Sequence, residues 1–122
     1  MRNCLISTAL GGFFLIGLAV PAFAHAHLES ATPAANGSVA TAPSKITLTF
    51  SEGVNLKFSG VKVTGPQNRA VKAGKASLTD GNATLSVPVS GKLGAGTYTV
   101  DWHILSVDGH KTNGSYTFTV NP

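Results

Sequence analysis

The chain has one cysteine, Cys4, and one methionine, Met1, among its 122 residues. Everything past the fourth residue is therefore free of sulfur, so no disulfide can form there and packing must hold the fold. Acidic residues are also few: five Asp and Glu stand against nine Lys and Arg. The basic residues are scattered along the sequence without a cluster or an interleaved aromatic platform, a pattern of a solvated surface rather than of nucleic-acid binding. No segment carries a helical period. The only long apolar run, residues 5–20, is shorter than the roughly 20 residues that span a bilayer, and no stop-transfer charges follow it.

That run has the form of a secretory signal. Met1-Arg2-Asn3 is a short basic start, and Pro21-Ala22-Phe23-Ala24 ends the apolar stretch with the small-x-small pattern of a processing site. Cys4 precedes the apolar run, where a lipid-attachment cysteine would not stand. Cleavage after Ala24 assigns residues 1–24 to a removed signal peptide and residues 25–122 to one exported domain with His25 as its first residue. Loss of Arg2 leaves eight basic residues against five acidic ones, a net charge of +3.

The rest reads as β structure. Residues 45–50, Lys-Ile-Thr-Leu-Thr-Phe, alternate polar and apolar with period two. Residues 60–64 repeat the pattern and stop at Gly65-Pro66, a turn signal. Residues 70–78 are interrupted by Gly74 and read as two short strand pieces. Asp80-Gly81 marks a hairpin before a strand at 83–87, Pro88 and the stretch 91–96 mark a loop, residues 97–105 form the longest strand, and 115–120 close the chain. About seven short strands separated by turns predict an all-β, Greek-key β-sandwich of the immunoglobulin-like or cupredoxin-like kind. Tyr98, Val100, Trp102 and Ile104 share one face of the long strand and are expected in the core with Ile46, Leu48, Phe50, Phe118 and Val120. Asp101 and His103 then fall on the opposite face.

Chemistry has few places to reside. All four histidines, His25, His27, His103 and His110, lie beyond the signal, in a domain with only five carboxylates. A histidine at position one offers its free amine and its ring to a single metal ion, and such nitrogen donors suit Cu(II), which heads the divalent affinity order. Asp108-Gly109-His110 and Asp101-Trp102-His103 each place a carboxylate and an imidazole two residues apart. In extended backbone such a pair points the same way, and Gly109 also permits a tight local path, Asp-Gly being an ordinary turn pair with a surface histidine beside it. Spacing alone does not choose between them.

The motifs taken together do. His25-Ala26-His27-Leu28, Thr32-Pro33-Ala34, Thr49-Phe50-Ser51-Glu52, Phe58-Ser59-Gly60, Gly96-Thr97-Tyr98 and the run from Val100 through Ser106-Val107-Asp108-Gly109-His110 to Tyr116-Thr117-Phe118 resemble the periplasmic copper-resistance CopC family, in its short YobA-like branch. The resemblance implies one Cu(II) ion per chain, held by the amine and ring of His25 with Asp108 and His110. It places Glu52 near that site, as a ligand or as a partner that orients the amine. It also implies a periplasmic location and a CopD-like inner-membrane copper transporter as partner. His27 has no settled counterpart, and His103 stands where other members carry arginine. Better-known members have a methionine-rich loop for Cu(I); here residues 64–71 contain none, so soft Cu(I) lacks its thioether ligands.

Three functional readings follow. The first is a copper carrier or buffer with neither an enzymatic step nor a small-molecule substrate. The second is a histidine-brace copper oxidase or monooxygenase, which uses an N-terminal histidine on a β-sandwich but a second histidine in place of a coordinating aspartate. The third confines Cu(II) or Ni(II) to the His25-Ala26-His27 tail, through the amine, two backbone amides and the third-position imidazole.

Overall fold

The computed structural model describes residues 26–122; the segment read as a signal peptide and His25 lie outside them. The described residues form nine strands in two sheets. One sheet holds β1 (Leu28–Thr32), β3 (Lys45–Phe50), β7 (Thr84–Pro88) and β6 (Ser77–Thr79), in the order β1-β3-β7-β6. The other holds β2 (Gly37–Val39), β9 (Lys111–Val120), β8 (Gly96–Leu105), β4 (Gly60–Thr64) and β5 (Ala70–Val71), in the order β2-β9-β8-β4-β5. Pairing is antiparallel except between β2 and β9. This is the strand order of an immunoglobulin-type sandwich, with its first strand divided between the two sheets.

The period-two segments became strands, and their apolar positions became the core. Ile46, Leu48, Phe50, Val100, Ile104 and Phe118 are at most 1% exposed, and Tyr98, Trp102 and Val120 are also buried. Asp101 and His103 are exposed on the outer face of β8, as the alternation requires. The count of seven strands was short. β1 and β2 were not marked, because Leu-Glu-Ser-Ala-Thr and Gly-Ser-Val carry almost no apolar alternation; pairing with β3 and β9 makes them strands. β9 starts at Lys111 rather than at residue 115, since its first half is Lys-Thr-Asn-Gly and owes its extension to β8. Pro88 ends β7 instead of opening the loop. The Asp80-Gly81 hairpin is present: Ala83 N–H donates to the Asp80 carbonyl across Gly81 and Asn82, both at φ +67°, as a two-residue hairpin turn demands.

One ring contact packs the sheets on each other, and one hydrogen bond holds the loop that joins them. The Phe50 and Trp102 rings meet edge to face across the sandwich, centroids 5.1 Å apart, an arrangement worth about 0.5–1.5 kcal/mol beyond the area it buries. Phe50 lies on β3 and Trp102 on β8, the two strands that a disulfide joins in antibody domains. The Tyr98 hydroxyl donates to the Gly94 carbonyl at 2.7 Å, tying the start of β8 to the loop before it in the manner of a tyrosine corner.

The Trp102 indole lies directly over Gly114, its partner on β9. A Cβ at Gly114 would stand 2.5 Å from Trp102 Cζ2. Gly114→Ala should therefore lower the unfolding free energy by about 1–3 kcal/mol, the range for overpacking. Gly94→Ala, where a Cβ meets nothing within 4 Å, should change it by less than about 0.5 kcal/mol. Urea denaturation of the two variants checks this.

Candidate metal centre

One end of the sandwich gathers three segments. The β8–β9 connection, residues 106–110, is a tight turn in which Gly109 N–H donates to the Ser106 carbonyl and Ser106 N–H to the His110 carbonyl, both at 2.9 Å. Gly109 takes φ +92°, a conformation that favours glycine. The loop after β3 is stitched beside it: Val107 N–H donates to the Gly53 carbonyl at 3.0 Å, and Val54 pairs with Ser106. The third segment is the start of the described chain, which runs into β1.

Within the turn, His110 Nδ1 and Asp108 Oδ1 are 3.1 Å apart. The side chains are 44% and 37% exposed, respectively, so an ion can reach them from solvent. The expected convergence of this pair is present. The turn at Gly109 brings the groups together; strand alternation does not. Ser106 Oγ donates to the same Asp108 oxygen and accepts from His110 N–H at 3.2 Å. His110 Nδ1 and Asp108 Oδ1 thus stand on one side of the turn at a separation that two ligands of one ion can have.

The hydrogen bond from Ser106 is the main reason that the Asp108 carboxyl lies below its ordinary value; loss of solvation opposes it, and the His110 hydrogen bonds and charge add to it. Asp108 is thus ionised through mildly acid pH.

The arm before β1 is anchored to both sheets. Ala26 is 1% exposed, and its carbonyl accepts from Thr112 Oγ1 at 3.1 Å, two residues beyond His110. His27 N–H donates to Ser51 Oγ, and Ser51 N–H to the His27 carbonyl, each at 2.9 Å. Consecutive Cα atoms are about 3.8 Å apart, so position 25 is one peptide from a residue fixed beside the Asp108–His110 turn.

The other expected residues are placed as follows. Glu52 follows Ser51 in the loop at this end, and the His27 side chain is exposed there. Among the described residues, neither joins Asp108 and His110 in a group of three or more possible metal ligands. His103 lies over Gly60 on the outer sheet face, its Cε1 3.1 Å from where a Gly60 Cβ would stand. Asp101 faces Lys62 in the strand register. The rival Asp101/His103 pair is thus strand surface. Sequence reading missed Ser51, Ser106 and Thr112 as supporting residues. A serine two residues before an aspartate in a turn was a legible signal for Ser106; Thr112 had none, because its partner lies 86 residues away.

A protein-family model for the CopC domain matches residues 28–121. The chain belongs to the CopC family. Protein YobA of Escherichia coli K12 is 54% identical over 99 residues, covering 80% of each chain. Copper resistance protein C of Escherichia coli is 41% identical over 125 residues, covering 97% of this chain and 98% of that one. Among solved structures, PcoC, a methionine-rich copper resistance protein from Escherichia coli, superposes with a TM-score of 0.73 at 39% identity, covering 80% of this chain and all of that one. This CopC-family member departs from that description in having no methionine after Met1.

The direction of the Asp108 shift yields a titration prediction. A carboxyl whose pKa is depressed by folding contributes stability above its unfolded value and loses that contribution as pH falls through the folded one. NMR titration of the metal-free protein should place Asp108 below 3.8, the ordinary value. Ser106→Ala should move it upward.

Proposed function

We infer that this protein is an exported copper carrier or buffer that binds one Cu(II) ion per chain in the periplasm. Its ligands are the amine and ring of His25, the Asp108 carboxylate and the His110 imidazole. The observation that supports this reading is the anchoring of Ala26, the residue after position 25, by Thr112 near the Asp108–His110 pair. The names and titles of the CopC and PcoC relatives, which describe copper resistance, support the metal.

Donor chemistry fits. Amine, imidazole and carboxylate form a set that Cu(II) accepts in tetragonal geometry, and the carboxylate's charge favours Cu(II) over Cu(I). With Met1 removed by processing, no thioether remains for Cu(I). Glu52, next to the Ser51 that holds the arm, serves as a partner that orients the amine. The role is holding and transfer, without a catalytic step; a CopD-like inner-membrane transporter is the partner that this family membership suggests.

Processing after Ala24 is part of the mechanism. With Ala24 attached, the amine of His25 becomes a peptide nitrogen and its chelate ring is lost. A tail site built from the His25-Ala26-His27 amides competes poorly in the folded protein. It requires the His27 amide as a deprotonated ligand, and that N–H is engaged by Ser51.

EPR-monitored Cu(II) titration tests the assignment. The processed protein should bind one equivalent, and both His110→Ala and a form extended by Ala24 should change the spectrum and weaken binding. Affinity should fall from neutral to mildly acid pH, because protons compete for the same nitrogens. Identical spectra and affinities for the processed protein and His110→Ala would place copper elsewhere. Ascorbate-driven turnover with substrate cleavage would establish the oxidase reading instead.

A further inference from the structure

Tyr98 and Leu105 are separated by about 23 Å of extended strand, so the start of β8 lies at the far end of the sandwich from the metal centre. A cleft of about 280 Å³ opens there between the Pro66–Asn68 turn, β5 and the loop leading into β8. Arg69, Lys72 and Lys92 line it, with Ser90, Leu93 and Tyr98. None of the five carboxylates in the sequence lines it.

The cations are set on fixed backbone. Ser90 donates to the Lys72 carbonyl through both its N–H and its Oγ, at 2.9 and 3.2 Å. Gly65 N–H donates to the Arg69 carbonyl at 2.7 Å, and Tyr98 holds Gly94, two residues beyond Lys92. Those bonds occupy the N–H groups of Gly65 and Ser90, which leaves guanidinium and ammonium groups to recognise a ligand. Leu93 and Tyr98, both under 9% exposed, give the cleft a firm apolar floor. Among the described residues the one ion pair is His110–Asp108, so no salt bridge among them neutralises Arg69, Lys72 or Lys92. Their mutual repulsion is relieved by an anion.

Three positive charges around one opening match a multiply charged oxyanion better than a single carboxylate. Arginine offers a planar fork of donors suited to phosphate, and lysine adds point charges. We propose that this cleft binds a phosphate group through Arg69, Lys72 and Lys92. The phosphate can come from a soluble phosphate or from a phospholipid headgroup. In the second case the protein rests on the membrane by its basic end, with the metal centre turned away.

Two variants of equal charge test this: Arg69→Gln/Lys92→Gln in the cleft and Lys57→Gln/Lys62→Gln outside it. The processed protein is titrated with inorganic phosphate by ¹⁵N NMR at low ionic strength and pelleted with phosphatidylglycerol or phosphatidylcholine vesicles. Saturable shifts at Ser90, Lys92 and Tyr98 with phosphate identify a soluble source. Pelleting with phosphatidylglycerol alone identifies the headgroup. In either case the cleft variant should bind about tenfold more weakly, and the control less than about twofold. Equal losses in the two variants would reduce the effect to net charge and overturn the proposal, as would no response in either titration.

Discussion

The proposed metal centre depends on one cross-sheet clasp, the hydrogen bond from Thr112 Oγ1 to the Ala26 carbonyl. The arm carrying the chain's first histidine leads into β1, on the four-stranded sheet, while Asp108 and His110 connect two strands of the other. Nothing in either sheet alone brings them together. The clasp does so, aided by the Ser51–His27 pair on the arm's other side. Burial of Ala26 fixes the point from which residue 25 departs. The proposed ligand set, anchored in this way, would lose little conformational freedom on binding metal, which is where preorganisation gains affinity.

The clasp in turn requires the two sheets to keep their relative position, and the Phe50–Trp102 contact maintains it. Phe50 immediately precedes Ser51, and Trp102 lies four residues before Ser106, so the aromatic pair sits under the metal end of the sandwich. In a domain without cysteine beyond Cys4, this packed pair connects the strands that a disulfide joins in antibody domains. Gly114 is the corresponding concession on β9, since only a residue without a side chain leaves room for the indole.

Legibility in the sequence followed the physics of each element. β3, β4 and β8 alternate with period two against a one-sided core, so strand and facing could be read residue by residue. β1, β2 and the first half of β9 are strands because neighbours pair with them, and their composition holds no trace of it. Asp108 and His110 could be proposed as a pair from spacing, and motif order selected them over Asp101 and His103. Asp108-Gly109 was legible as a turn, but not that this turn, rather than strand alternation, brings the two side chains together. Ser106 was visible in retrospect as a turn residue, whereas Ala26 and Thr112 meet across 86 positions and belong to tertiary structure alone.

Thr112→Val removes the hydroxyl while keeping the shape of the side chain and touches no ligand, so Cu(II) affinity of this variant measures the clasp directly. The account predicts an unchanged EPR spectrum with binding weakened about three- to tenfold, the effect of losing one hydrogen bond of ~0.5–1.5 kcal/mol. Affinity equal to that of the parent protein would contradict it, showing that the metal gathers its own ligands without the arm's anchor.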